Sequence, residues 1–163
     1  MIYPQTLTAL ERRLAAPAGW LTAPFALGTR LYVAWVFLKS GWLKVSDWPQ
    51  TLSLFETEYR VPLLPPHAAA YAGAAGELVF GALVLLGLAG RAGALGLFAV
   101  NLMAFISYRH VLLQDGFEAA VGQHLLWGFM LLTLVVYGPG RWSLDGVLAG
   151  RGGAGRGARG PGA

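Results

Sequence analysis

The sequence contains no cysteine and little charge. Without cysteine there can be no disulfide bond, no thiolate metal site and no dithiol relay, so any redox chemistry would need a bound cofactor. Only 12% of the 163 residues are charged, about half the fraction of an ordinary soluble domain, whereas 56% are hydrophobic. This composition is typical of an integral membrane protein and leaves no room for a second, soluble domain.

The basic residues do not form a nucleic-acid surface. The formal net charge is +4, but the arginines and lysines lie at the ends of apolar segments and near the C-terminus rather than along one soluble face. We interpret them as topology signals. Most of these basic residues fall on one side of the predicted bundle, which predicts that both termini are cytoplasmic. The predicted partner is the lipid bilayer and not nucleic acid.

Four apolar runs predict an all-α, polytopic membrane protein. They cover about residues 25–45, 68–89, 91–113 and 119–138, each close to the length of about 20 residues that a helix needs to cross the hydrocarbon. The turns around Gly90 and Asp115 are short, so the four helices run up, down, up and down. The whole transmembrane domain is predicted over residues 25–148.

Three segments lie outside these spans. Residues 1–24 are predicted to be cytoplasmic, as either a helix on the membrane surface or a solvated leader. In the first outer loop, Asp47 as a cap and Pro49 in a first turn predict a short amphipathic helix. Its apolar stripe consists of Trp48, Leu52, Phe55 and Tyr59. Residues 149–163, rich in glycine and arginine, are predicted to be disordered.

Ionisable residues inside the spans are a functional signal, because each costs roughly 2.5–3.5 kcal/mol on membrane insertion. The candidate charge network consists of Arg30, Lys39, Lys44 and Glu77. The rise along each helix places Glu77 near the midplane and Lys44 near the outer interface, where its side chain can reach the headgroups. We therefore expect Glu77 to pair with Arg30 or Lys39. Either this pair takes part in chemistry or it only fixes helix packing.

Two further polar residues fall at similar depth, Asn101 in the third span and His124 in the fourth. His124 is predicted either to donate a hydrogen bond to a carbonyl or to act as a proton relay or quinone-headgroup ligand. Nothing predicts a bound metal ion, and haem between His110 and His124 is a weaker alternative. The side chains predicted to stack on a flat ring are those of Trp35, Tyr71 and Trp127.

Several runs of residues resemble the DoxX family of small four-helix membrane proteins. They are RLYVAWVFLKSGWLKVSDW, LFETEYRVPLLPP, GELVFGALVLLGLAGRAGALGLFAVNLMAF, and HLLWG through YGPGRWSLD, and together they extend over about residues 25–148. Within them, the family's pattern corresponds to Arg30, Gly41 and Lys44 in the first span, to Glu77 and Arg91 around the second, and to Gly138 through Asp145 at the end.

The resemblance implies a setting more than a reaction. The family is similar to a small membrane subunit of a thiosulfate:quinone oxidoreductase, and its members are linked to membrane redox or oxidative-stress complexes. By this resemblance we expect a subunit in the bacterial inner membrane that binds quinone or quinol, and if it is an enzyme, a quinone-linked oxidoreductase. Its partners would be other membrane or periplasmic redox subunits, or further copies of the chain.

Two alternatives stay open. In the first, the protein is a non-catalytic membrane partner or assembly subunit for a redox or metal-stress system, and the Glu77 ion pair is structural. In the second, it is a small transporter or proton conductor, which needs a polar path through the bundle.

Overall fold

A computed structural model describes the backbone of residues 3–156 and the side chains of residues 19–150. Within residues 3–156, six helices follow one another: α1 Tyr3–Ser46, α2 Trp48–Thr57, α3 Pro66–Leu86, α4 Gly90–Leu112, α5 Glu118–Tyr137 and α6 Leu144–Arg156. Among the residues whose side chains are described, four segments are long and apolar enough to cross a membrane: Gly19–Ser46 of α1, and α3, α4 and α5. The predicted all-α, four-helix membrane bundle is thus confirmed.

The four spanning helices pack in chain order. α1 packs on α3, α3 on α4 and α4 on α5, whereas α1 and α5 touch at only a few positions. Small residues allow the closest approaches, since Leu38 of α1 packs against Gly81 of α3, and Leu78 of α3 against Gly41 of α1. The buried apolar core between these helices is formed by Val33, Ala34, Phe37, Val84, Ala94, Leu97, Leu131 and Leu134.

The bundle has two different ends. At one, here called the basic end, the Gly87–Gly90 turn meets the loop of residues 138–143, which leads into α6. The turn reverses the chain through left-handed backbone at Gly87 (φ 64°) and Ala89 (φ 46°), a conformation that glycine adopts without steric cost. At the other, the α2 end, α2 lies against the start of α3.

The short amphipathic helix predicted in the first loop is α2. The side chain of Asp47 accepts a hydrogen bond from the backbone N–H of Gln50 at 3.1 Å, and proline stands in the first turn. The predicted stripe packs as expected, because Phe55 is buried with Ala69 and Ala70 of α3. The rest of the stripe, Trp48, Leu52 and Tyr59, packs around that cluster.

Both ends of the chain differ from the sequence-based expectation. Residues 3–24 form no separate segment, because their backbone is continuous with the first span as the helix α1. The predicted disordered tail is helical over residues 149–156, because α6 starts at Leu144, where the hydroxyl of Ser143 accepts from the Gly146 N–H. Residues 157–163 of that tail lie outside the described residues.

Candidate functional site

Lys44 and Glu77 form a buried ion pair between α1 and α3. The ammonium nitrogen of Lys44 lies 2.9 Å from each carboxylate oxygen of Glu77. The side chain of Glu77 is only 7% exposed and that of Lys44 20%. The hydroxyl of Ser40 donates to Glu77 at 3.1 Å and accepts from Lys44 at 2.8 Å, which completes a closed polar cluster.

The expected pairing of Glu77 with Arg30 or Lys39 is wrong. Glu77 faces Gly41, one turn before Lys44, because a Cβ at position 41 would lie 3.1 Å from that of Glu77. Side chains tilt towards the N-terminus of their own helix, and α1 and α3 run antiparallel, so the two side chains lean towards each other. Arg30, eleven residues before Gly41, is about 16 Å further along the helix axis.

Lys39 does not join the charge network. Its side chain is exposed on the outer surface of α1. Among the described side chains it takes part in no hydrogen bond or ion pair, and its long stem suits a headgroup contact reached along the helix surface. The predicted network therefore divides into a Lys44–Glu77 pair, a lone surface lysine and a separate site around Arg30.

Arg30 binds backbone carbonyls at the basic end. Its guanidinium donates to the carbonyl oxygens of the last turn of α3, Val84 at 3.0 Å and Leu85 at 2.8 Å. It also donates to those of Pro139 at 3.0 Å and Trp142 at 2.9 Å in the loop before α6. The Val84 carbonyl also accepts from the backbone N–H of Gly87 at 3.2 Å. Carbonyls at a helix end and in a loop have room for a further donor, and a planar guanidinium can reach several of them at once. Arg30 thus ties α1, α3 and the 138–143 loop together.

Asp145 stabilises the start of α4 from α6, an interaction that our reasoning on residue chemistry missed. Its carboxylate accepts from the backbone N–H groups of Ala89 at 3.0 Å and Gly90 at 2.7 Å. An acidic group at these free N–H groups also favours the helix dipole. In the sequence, Asp145 stood out only as the last residue of the family-like run that begins at Gly138. That resemblance indicated the residue but not its contact with the start of α4.

Asn101 and His124 hydrogen-bond each other in the middle of the bundle. The amide nitrogen of Asn101 donates to the backbone carbonyl of His124 at 3.0 Å, and Nδ1 of His124 lies 2.9 Å from the amide oxygen of Asn101. Since that oxygen can only accept, Nδ1 is the protonated nitrogen of the ring. In a neutral ring the other nitrogen, Nε2, is then an acceptor, and it has no hydrogen-bond donor among the described residues.

Aromatic rings surround His124. Phe105 lies edge-on to it with ring centroids 5.8 Å apart, and Trp127 does so at 5.2 Å. Trp127 in turn meets Phe37 of α1 at 5.8 Å. The indole N–H of Trp127 is buried and has no hydrogen-bond acceptor, alone among the side-chain nitrogen and oxygen atoms buried in the described part of the chain. A buried donor without an acceptor is unusual in a folded protein.

The other predicted ring-stacking residues lie elsewhere. Trp35 is exposed on α1, and Tyr71 stacks on Trp48 of α2 with ring centroids 4.5 Å apart. The two histidines of the haem alternative are too far apart to bind one haem. His124 is hydrogen-bonded to Asn101, whereas His110 lies against Tyr108, nine residues after Asn101 on α4 and so about 13 Å away by helical rise. Over residues 19–150, no group of three or more metal-ligating side chains occurs.

The two polar clusters are separate but neighbouring. The Lys44–Glu77 pair lies between α1 and α3, and the Asn101–His124 pair between α4 and α5. Phe37, which contacts Trp127, is one turn from Gly41, which contacts Glu77. Within the described side chains no hydrogen bond joins the two clusters.

Comparison with known proteins agrees with the fold. The family model named DoxX matches residues 25–110, over half of the chain, from the start of the first span through most of α4. Comparisons with curated proteins and with solved structures return no match. The matched region contains Arg30, Gly41, Lys44 and Glu77, the residues that join α1 to α3. The chain is a multi-pass membrane protein that belongs to the DoxX family.

Proposed function

We propose that the protein is a redox-associated membrane subunit that binds the headgroup of a quinone or quinol at Asn101, His124 and Trp127, here called the His124 cluster. The observation that carries this proposal is the buried indole N–H of Trp127, which has no acceptor and lies beside a histidine whose Nε2 is also unused. Together they offer a donor and an acceptor on adjacent side chains of one helix.

The chemistry of a quinone fits this pair. A quinone carbonyl accepts a hydrogen bond, which suits the Trp127 N–H, and a quinol hydroxyl also donates, which suits Nε2 of His124. Phe37 and Phe105 provide the apolar aromatic walls that a flat ring needs. When bound, the quinone would supply two-electron chemistry that a chain without cysteine cannot supply itself.

The seam between α1 and α5 offers a route from the bilayer. These helices touch at only a few positions, one of which is the contact between Phe37 and Trp127. Leu125 and Phe129 on the outer surface of α5 are exposed and would face lipid tails. A headgroup carried on an isoprenoid tail can therefore approach the His124 cluster sideways, through a small separation of the two helices.

The Lys44–Glu77 pair has a supporting role in this proposal. It is closed on itself through Ser40, and Gly41 packs directly against Glu77. We assign it to holding α1 against α3, so that Phe37 stays beside Trp127. A transporter or proton conductor is disfavoured, because in the part of the chain that the structure describes the two polar clusters form separate hydrogen-bonded groups.

The test begins with protein purified in mild detergent from its native membrane, whose lipid extract is analysed by mass spectrometry. We expect a quinone in stoichiometric amount. A short-chain benzoquinone is then titrated into quinone-depleted protein, and Trp127→Phe should weaken its binding about ten-fold, because an aromatic side chain is kept while the N–H donor and its hydrogen bond are lost. Trp35→Phe, the same change on the exposed surface of α1, is the matched control and should leave binding unchanged.

The opposite outcome would favour the partner-subunit alternative. An extract with only phospholipid, together with no saturable binding of the added benzoquinone, would contradict the quinone proposal. The α2 end is then the surface to study, because Leu63 and Leu64 there are exposed beside α2.

A further inference from the structure

A large groove opens at the basic end of the bundle, far from the His124 cluster. It lies between the first turns of the α1 span, the end of α5 and the loop into α6, and its volume is about 1460 Å³. Pockets for small molecules usually measure about 300–1,000 Å³, so this open groove has room for a larger ligand. Its wall contains the exposed aromatic side chains of Trp20, Phe25, Tyr137 and Trp142.

Two arginines give this groove a positive charge. Arg91 and Arg141 both line it, and neither forms a hydrogen bond or an ion pair with another described side chain. Asp145 also lies in the wall, where its carboxylate oxygens accept from the backbone N–H groups of Ala89 and Gly90 and form no ion pair with either arginine, so its single negative charge offsets only part of theirs. The groove therefore combines a net positive charge with an apolar, aromatic surface.

The loop that carries Arg141 is held in place before any ligand binds. Arg30 binds the carbonyls of Pro139 and Trp142 on both sides of Arg141, and the hydroxyl of Ser143 donates to the carbonyl of Gly140. Arg91 lies over the start of this loop, since a Cβ at Gly138 would be 3.6 Å from its Nε atom. Preorganised cations lose less entropy on binding than mobile ones do.

We propose that this groove binds an anionic phospholipid of the surrounding membrane. Arg91 and Arg141 bind the headgroup phosphate, for which the guanidinium geometry is well suited, and the acyl chains lie along Trp20, Phe25 and Tyr137. The ends of four apolar spans place the groove at the level where headgroups and acyl chains meet, and tryptophan and tyrosine favour that level. Basic pockets at such positions bind acidic headgroups.

The experiment measures binding to the full-length protein in neutral detergent. Phosphatidylglycerol and phosphatidylcholine with identical acyl chains are added separately, and the thermal unfolding midpoint and the number of bound lipids by native mass spectrometry are recorded. We expect phosphatidylglycerol to raise the midpoint and remain bound, and phosphatidylcholine to have little effect. Glycerol phosphate alone, the headgroup without acyl chains, should not raise the midpoint.

Variants locate the site. The double variant Arg91→Gln/Arg141→Gln should bind phosphatidylglycerol on the order of thirty-fold more weakly, from about 1 kcal/mol for each arginine. The matched control is Arg60→Gln/Arg109→Gln, which removes two arginines from a groove near the α2 end. It should bind the lipid as the unmodified protein does.

Three outcomes would overturn the proposal. Equal binding of the two lipids would show that the headgroup charge is not recognised. Equal stabilisation by glycerol phosphate would show that the ligand is a free phosphate. Equal weakening by both double variants would show that only net charge matters. If Arg91→Gln/Arg141→Gln fails to fold, competition between the two lipids on the unmodified protein still decides, because a phospholipid site for anions must favour phosphatidylglycerol.

Discussion

The ammonium of Lys44 lies 2.9 Å from both carboxylate oxygens of Glu77, on the neighbouring antiparallel helix. This two-oxygen contact differs from a surface salt bridge, because Glu77 is almost fully enclosed and no water-exposed face competes for it. In such a place the loss of one partner matters more than the strength of the pair, since the remaining charge is left unpaired in a medium of low polarity.

We predict that single neutralisation of the pair is strongly destabilising and that double neutralisation is not. Lys44→Gln or Glu77→Gln should each lower the free energy of unfolding in detergent micelles by about 3 kcal/mol, whereas the double variant should recover most of that loss. Lys39→Gln, on the exposed face of α1, is the control and should change stability by less than about 0.5 kcal/mol. Rescue of Glu77→Gln by Arg30→Gln instead would contradict the pairing.

The difference between the expected and observed partner of Glu77 shows how far the sequence could lead. The length and hydropathy of the apolar runs were enough to predict the four spans. The helix α2 could be predicted from local residue chemistry, because Asp47 and Pro49 define its start. The partner of Glu77 depends on how far α1 is shifted along α3. That shift follows from the contacts at Gly41 and Gly81, which belong to the tertiary structure and have no local signature.

The same limit applies to the candidate site. Depth estimates placed Asn101 and His124 at one level, and the structure brings them into direct contact. The sequence could not predict that the N–H of Trp127 beside them has no acceptor. Whether a buried donor finds an acceptor depends on every atom around it in the folded protein. Arg30 was expected to pair with a carboxylate, but it binds backbone carbonyls. Because every residue has a backbone carbonyl, no sequence pattern indicates which ones an arginine binds. The roles of these residues in quinone binding stay predictions.

Gly41 is predicted to be essential for the approach of α1 to α3. A Cβ there would lie 2.9 Å from Cγ of Leu78 and 3.1 Å from Cβ of Glu77, the second of which cannot move without its helix. Gly41→Ala should therefore lower the free energy of unfolding by about 1–3 kcal/mol. Gly28→Ala is the matched control in the same helix, because nothing lies within 4 Å of its added methyl group. It should be neutral or stabilise the protein by up to about 1 kcal/mol.

Tyr59 is predicted to reduce stability at alkaline pH. Burial, followed by the nearby Tyr108, Glu58 and Glu77, raises the pKa of Tyr59 above its ordinary value of about 10. Below that value both states keep the proton, and this contribution to stability is complete. Above it the unfolded chain loses the proton first, so stability falls by up to about 1.4 kcal/mol per pH unit until the folded Tyr59 also ionises.

The measurement is a pair of titrations of the protein and of Tyr59→Phe, which keeps the ring contact with Phe55 at 4.8 Å. The difference in phenolate absorbance isolates Tyr59 and should show ionisation above pH 10. The unfolding free energy of Tyr59→Phe should fall less steeply over the same range. A difference spectrum with its midpoint at or below pH 10 would contradict the prediction.

Arg30→Lys is predicted to be far from conservative, although it keeps the charge. The guanidinium donates from three nitrogen atoms to four carbonyls, those of Val84, Leu85, Pro139 and Trp142, whereas a single ammonium cannot reach both the end of α3 and the loop. We expect the free energy of unfolding to fall by about 3 kcal/mol, since hydrogen bonds to charged groups contribute about 1.5–3 kcal/mol each.

In Arg30→Lys, trypsin should cleave after Arg141 faster, because the loop is no longer held by the Arg30 guanidinium. Arg109→Lys, on the exposed surface of α4, should change neither the stability nor the rate of cleavage.

The Arg30→Lys variant also tests whether the loop at the basic end must be held in place for lipid binding. If Arg30 positions the loop for lipid, Arg30→Lys should also weaken phosphatidylglycerol binding, although Arg91 and Arg141 are both intact. Unchanged lipid binding in a protein with a faster-cleaved loop would mean that the arginines find the phosphate without preorganisation.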